Sequence, residues 1–167
     1  NSGRGCPKCK SQTSAPELRI YAELQKIFEN FENRKKIENK ELDIYLPDYN
    51  IGIEYDGVRW HLGKEIIDKE KIKYFKNINI KVFRVREEPL EKISKWDVLV
   101  HKSRFLKKDV NNLLLNLSKF EPKIKENYLQ YIQSNEFINN DKYNEYLSYL
   151  PNPIPELSLE FKQPTLC

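Results

Sequence analysis

Glu54, Asp56 and His61 fall within one short run, Ile51-Gly52-Ile53-Glu54-Tyr55-Asp56-Gly57-Val58-Arg59-Trp60-His61. Ile51 and Ile53 alternate with Gly52 rather than with polar residues, so the run reads as a strand buried on both faces that ends by presenting two carboxylates and an imidazole. Just upstream, Leu42-Asp43-Ile44-Tyr45-Leu46 reads as a partner strand with one acid among apolar neighbours. A carboxylate in such a strand is costly unless it is paired, hydrogen-bonded or bound to metal. Three of them with a histidine on one hairpin point to a hydrolytic metal site. Phosphodiester hydrolysis needs a cation to polarise the phosphate and a base to activate water. Hard oxygen ligands suit Mg²⁺, with Mn²⁺ as the alternative.

Each residue then has an expected role. Asp43 binds the metal, and the Glu54 strand supplies a second ligand, from the Glu54 side chain or from the backbone at Tyr55. Alternation puts Glu54 and Asp56 on one face of their strand. Gly57 permits a sharp exit that lets His61 fold back to activate water or position the scissile phosphate. Asp68 opens the next helix, within reach of an imidazole N–H, where it would set the tautomer. Glu17 and Asp56 would hold waters around the ion. Simpler roles compete: Glu17 also completes a capping box with Ser14, and Asp68 also suits a helix dipole.

The elements that must position these groups follow from local pattern. Ser14-Ala15-Pro16-Glu17 is a helix start, and Leu18, Tyr21, Ala22, Leu24, Ile27 and Phe28 carry helical spacing to about residue 30. Polar residues 30–36 read as a loop or a frayed helix end. Strands are expected near 40–46 and 51–56, joined by Pro47-Asp48-Tyr49-Asn50, with loop over 57–64. A helix over 65–77 leads into a strand, Ile80 to Arg86, as a crossover to a parallel partner. Leu106, Val110, Leu113, Leu114 and Leu117 mark another helix, and the tyrosine-rich stretch beyond Pro122 reads as one or two short packed helices. The fold class is α/β: a small mixed sheet flanked by helices, with a helical C-terminal extension.

At 167 residues, 32% charged and 39% hydrophobic, the chain is one globular domain with attachments. No apolar run approaches the ~20 residues that cross a bilayer. The net charge of +4 is compatible with nucleic acid without arguing for it alone. Cys6, Cys9 and Cys167 make no disulfide framework, so a reducing, intracellular setting is expected. Cys6-Pro7-Lys8-Cys9 has knuckle spacing for half of a Zn²⁺ site, whose other ligands would lie elsewhere; a flexible reduced tail is the rival reading. The absence of Met and the opening residues suggest a piece of a longer protein.

The spaced Glu, Asp, His, Asp set over residues 14–86 resembles the PD-(D/E)XK nuclease superfamily, in the branch of very-short-patch repair endonucleases and some phage-type homing endonucleases. The resemblance implies a restriction-endonuclease-like core. It puts the family's helix-one glutamate on Glu17, its metal-binding aspartate on Asp43, its catalytic histidine on His61 and the following acid on Asp68. Asp56 stands where the superfamily has a lysine, which shifts water activation to His61. Arg59 precedes Trp60 where mismatch-repair members have two aromatics, so mismatch recognition does not carry over. At the ends, Gly3 to Cys9 looks like the close of a zinc ribbon, and Ser158-Leu159-Glu160-Phe161-Lys162-Gln163-Pro164 like the opening of another.

The expected organisation is a ribbon remnant over 1–13, an endonuclease core over 14–122, a helical extension over 123–150, and a linker with the next ribbon over 151–167. DNA is the expected partner, with Arg59, Trp60, Lys64, Arg84 and Arg86 as contacts. The competing reading is a catalytically silent DNA-binding or interaction module with the same fold. Retention of the acid and histidine set argues for the enzyme.

Overall fold

A computed structural model describes residues 13–150. Five strands form one sheet in the order β1 (Glu32–Ile37), β2 (Lys40–Leu46), β3 (Ile51–Asp56), β4 (Lys81–Glu87) and β5 (Val98–Val100). The first three run antiparallel, and β3, β4 and β5 are parallel, so the sheet is mixed. Helices α1 (Ala15–Ile27) and α4 (Lys107–Phe120) cover one face, and α3 (Glu65–Asn77) covers the other. A single turn, α2 (Val58–His61), joins β3 to α3. The extension adds α5 (Lys125–Tyr131) and α6 (Asn140–Ser148). Among the described residues, no helix is long and apolar enough to cross a membrane.

Local chemistry explains the elements. Ser14 Oγ accepts from Glu17 N–H while Glu17 Oε2 accepts from Ser14 N–H, closing both legs of the capping box at the start of α1. The α1 helix ends at Ile27, three residues before the expected limit, because Phe28 is already extended (φ −112°, ψ 130°). Asn50, in the left-handed region at φ 51°, turns the chain from β2 into β3.

The larger apolar cluster joins Leu18, Leu24, Ile44, Ile53, Phe83 and Leu113; the smaller, beneath α3, is Leu42, Phe75, Ile80 and Val82. Each such side chain contributes about 1.5–3 kcal/mol by leaving water. The extension is tied to α1 through buried Glu23, which accepts from Tyr131 Oη at 2.6 Å, Ile138 N–H at 2.9 Å and Asn139 N–H at 3.1 Å. Tyr131 and Tyr143 are buried there, as packing residues.

Three expectations need correction. Residues 32–36 are strand, and only residues 30–31 remain loop: β1 is an edge strand whose side chains are half-buried or exposed, so it carries charges instead of apolar alternation. Residues 58–61 form a helical turn inside the expected loop. The three-residue strand β5 is absent from the sequence reading, being too short to show a period.

One irregularity shapes the site. Leu42 and Ile44 belong to opposite clusters although they are two apart in β2, so the alternation breaks at Asp43 between them. The β1–β2 ladder skips the Arg34–Asp43 pair, and Arg34 has φ 49°. The β2–β3 ladder stops at Ile44–Ile53. Beyond that point the two strands diverge and leave a gap.

Candidate active site

A cleft of about 620 Å³ opens where β2 leaves β3, lined among others by Glu17, Asp43, Glu54, Tyr55, His61 and Lys71. Asp43 Oδ2 accepts from the backbone N–H of Tyr55 at 2.8 Å, a donor that the sheet no longer pairs. In an extended residue the carbonyl faces the same edge as the N–H, so the Tyr55 carbonyl also opens toward Asp43. Glu17 reaches the cleft from α1 and accepts from Tyr21 Oη at 2.6 Å. Its capping role and its place in the cleft therefore coexist.

For Glu17 and Glu54 burial outweighs the counter-charge within reach, Arg34 at 3.9 Å from Glu17 and Lys71 against Glu54. Burial, reinforced by Asp43, pushes the Glu17 carboxyl up to about 8. Burial and then Asp43 also hold the Glu54 carboxyl well above the usual carboxylate range, against the opposing pull of Lys71 and Arg84. Asp43 is the common neighbour of both.

His61 lines the cleft, and behind its ring lies a buried ionic cluster. Its Nδ1 stands 3.0 Å from both oxygens of Asp68. Its Nε2 is 3.5 Å from Asp56 Oδ1, too long for a strong hydrogen bond. Arg84 Nη1 donates to Asp56 Oδ1 at 2.6 Å and Arg86 Nη1 to Asp56 Oδ2 at 2.5 Å. Arg86 Nη1 also reaches Asp68 Oδ2 at 3.3 Å. The parallel β3–β4 register sets Glu54 beside Arg84 and Asp56 beside Arg86, which builds this cluster directly from strand pairing. Burial works to raise the Asp68 carboxyl, but His61, Arg84 and Arg86 together hold it below its ordinary value. Ionised Asp68 only accepts, so Nδ1 carries a hydrogen toward it.

The site thus brings together Glu17, Asp43, Glu54, Tyr55 and His61 on the cleft, with Asp56 and Asp68 behind the imidazole. Asp56, His61 and Asp68 each offer a donor atom, all within 4.8 Å of one another, a group that could hold a metal ion. Both of those carboxylates are already held closely by guanidinium groups, whereas among the cleft acids Glu17 has only Arg34 at 3.9 Å and Glu54 is met by Lys71.

Arg84 and Arg86 do not serve as expected. They are 1% and 0% exposed, facing α3 inside the protein, so neither presents a surface to phosphate. Arg59, Trp60 and Lys64 are on the surface; Trp60 lines the cleft, with the Arg59 guanidinium 5.1 Å from its ring centroid. Cys6 and Cys9 lie outside the described residues.

Sequence reasoning missed three groups. Lys71 contacts Glu54 Oε1 in the cleft. In the sequence it looks like part of a solvated basic face, yet it lies three residues after Asp68 and so on the same side of α3. Arg34 also lines the cleft, from the strand whose sequence reads as loop. Glu87 accepts from Val58 N–H at 2.9 Å and Tyr55 Oη at 2.7 Å, fixing the turn that carries His61. Nothing in the local sequence around Glu87 signals that link.

No family model matches the chain, and neither a curated protein nor a solved structure matches it. The functional reading therefore rests on the geometry of the site.

Proposed function

We propose that this chain is a Mg²⁺-dependent DNA endonuclease with a restriction-endonuclease-like core, cutting one strand per active site, with Mn²⁺ able to replace Mg²⁺. The observation that carries this reading is an acid trio, Glu17, Asp43 and Glu54, facing the same cleft as an imidazole oriented by Asp68.

The donor set fits a hard divalent cation. Asp43, Glu54 and the Tyr55 carbonyl would hold it, with Glu17 supporting from α1. When bound, Mg²⁺ supplies charge that polarises the phosphate and offsets charge growing on the leaving oxygen. The rest of the chemistry belongs to the chain. His61 Nε2 accepts the proton of the attacking water, and Asp68 holds the Nδ1 hydrogen so that the ring stays in that tautomer. The resulting imidazolium sits between Asp56 and Asp68. Arg84 and Arg86 keep those two carboxylates fixed. Arg59, Trp60 and Lys64, exposed near the cleft, are the DNA contacts, and such a substrate implies a setting inside the cell.

The test is nicking of supercoiled plasmid in Mg²⁺, with EDTA as control. Asp43→Ala and His61→Ala should each abolish nicking while keeping the wild-type circular dichroism spectrum. Nicking at wild-type rate by both variants, or in EDTA, overturns the reading. A wild-type chain that binds DNA without nicking it would favour the silent module.

A further inference from the structure

Lys71 stands out among the groups in the cleft. It projects from the middle of α3, is only 25% exposed, and presses its ammonium against Glu54 Oε1. Glu54 is itself buried and lies close to Asp43, so its carboxylate needs a cation nearby. In the chain alone, Lys71 supplies that cation from the cleft side, while Arg84 sits behind on β4.

The ammonium therefore occupies the oxygen that a divalent ion bound to Asp43 and Glu54 would also use. Two cations cannot share one carboxylate oxygen at contact distance without strong mutual repulsion. Lysine suits an exchange of this kind because its charge rides on a flexible four-carbon stem. Anchored on α3 at the cleft wall, a released ammonium stays beside whatever the cleft holds. For a phosphodiester the complementary group is a non-bridging oxygen.

Resting on the metal-cleft reading above, we propose that Lys71 is an exchangeable cation of this site. It neutralises Glu54 while the cleft is empty, yields that oxygen to a divalent ion, and passes its own charge to the phosphate of the substrate.

The proposal makes two readouts move in opposite directions. Free Mn²⁺ measured by electron paramagnetic resonance in titrations of the full chain gives ion affinity without any reaction. Lys71→Met should bind Mn²⁺ roughly fivefold tighter than wild type, since a competing charge is gone. Lys71→Arg, which keeps the charge, should stay close to wild type. Single-turnover nicking at saturating Mn²⁺ should fall by roughly 100-fold in Lys71→Met, as expected for loss of one donor to a developing phosphate charge. Lys71→Arg should recover part of that loss. A merely structural lesion would weaken both readouts together.

Unchanged or weaker Mn²⁺ binding by Lys71→Met overturns the exchange while leaving the endonuclease reading intact. Undiminished nicking by Lys71→Met overturns the transfer of charge to phosphate. Absence of Mn²⁺ binding in every protein, wild type included, removes the metal cleft and this inference with it.

Discussion

The His61 imidazole meets Asp68 squarely: Nδ1 is 3.0 Å from Oδ1 and 3.0 Å from Oδ2. Asp68 is itself braced by Arg86 at 3.3 Å, so the carboxylate cannot swing away from the ring without breaking a buried ion pair. A histidine held in this way has a defined tautomer before any substrate arrives.

Asp68→Asn tests that relationship. The variant keeps size and shape, but an amide turned to donate to Nδ1 moves the imidazole hydrogen to Nε2, the atom needed to take a proton. Single-turnover nicking should fall on the order of 10²–10⁴-fold, the scale of a wrong-tautomer histidine. DNA affinity measured in EDTA should be unchanged. Wild-type nicking by Asp68→Asn would remove the orienting role.

Asp56 and Arg86 test whether the cluster behind His61 is a structural unit. Both are 0% exposed and joined at 2.5 Å. Arg86→Met leaves Asp56 with Arg84 alone and withdraws charge from Asp68, so urea unfolding should show a loss of about 3–5 kcal/mol. Adding Asp56→Asn to Arg86→Met should return part of that loss, because the stranded carboxylate is gone. An Arg86→Met variant within about 0.5 kcal/mol of wild type would show that the pair is not a buried, mutually dependent one.

These contrasts explain what the sequence reveals and what it hides. Asp43, Glu54 and Asp56 are legible because acids in apolar strands need a reason. The His61–Asp68 contact is legible because the spacing puts a helix start near the returning loop. Strand pairing is legible too: the crossover helix at residues 65–77 predicts the parallel β3–β4 neighbours. Arg84 and Arg86 are easily misread because alternation assigns a face without saying what covers it. The α3 helix carrying Asp68 lies over that face and turns apparent phosphate ligands into counter-ions. The break at Asp43 is invisible in the sequence because it coincides with a positive φ at Arg34, a residue of another strand.

Glu17 predicts how the metal-free protein responds to pH. Its carboxyl lies at about 8 in the folded chain, against an ordinary value of 4.5, chiefly because it is buried and then because Asp43 is near. Between those values the folded chain holds a proton that the unfolded chain releases. The associated stabilisation is complete below about pH 4.5 and disappears as pH rises through about 8. A tenfold difference in proton affinity between folded and unfolded chain corresponds to about 1.4 kcal/mol. With water entry relaxing part of the burial cost, unfolding by urea in EDTA should show a loss on the order of 2 kcal/mol between about pH 6 and about pH 9. Glu17→Gln is neutral at both pH values and keeps an oxygen for the Tyr21 hydroxyl, which donates to Glu17 Oε1 at 2.6 Å. It should therefore lose clearly less stability over the same interval and exceed wild type at the alkaline end. Equal losses in the two proteins would show that Glu17 is not the protonated acid of the empty cleft.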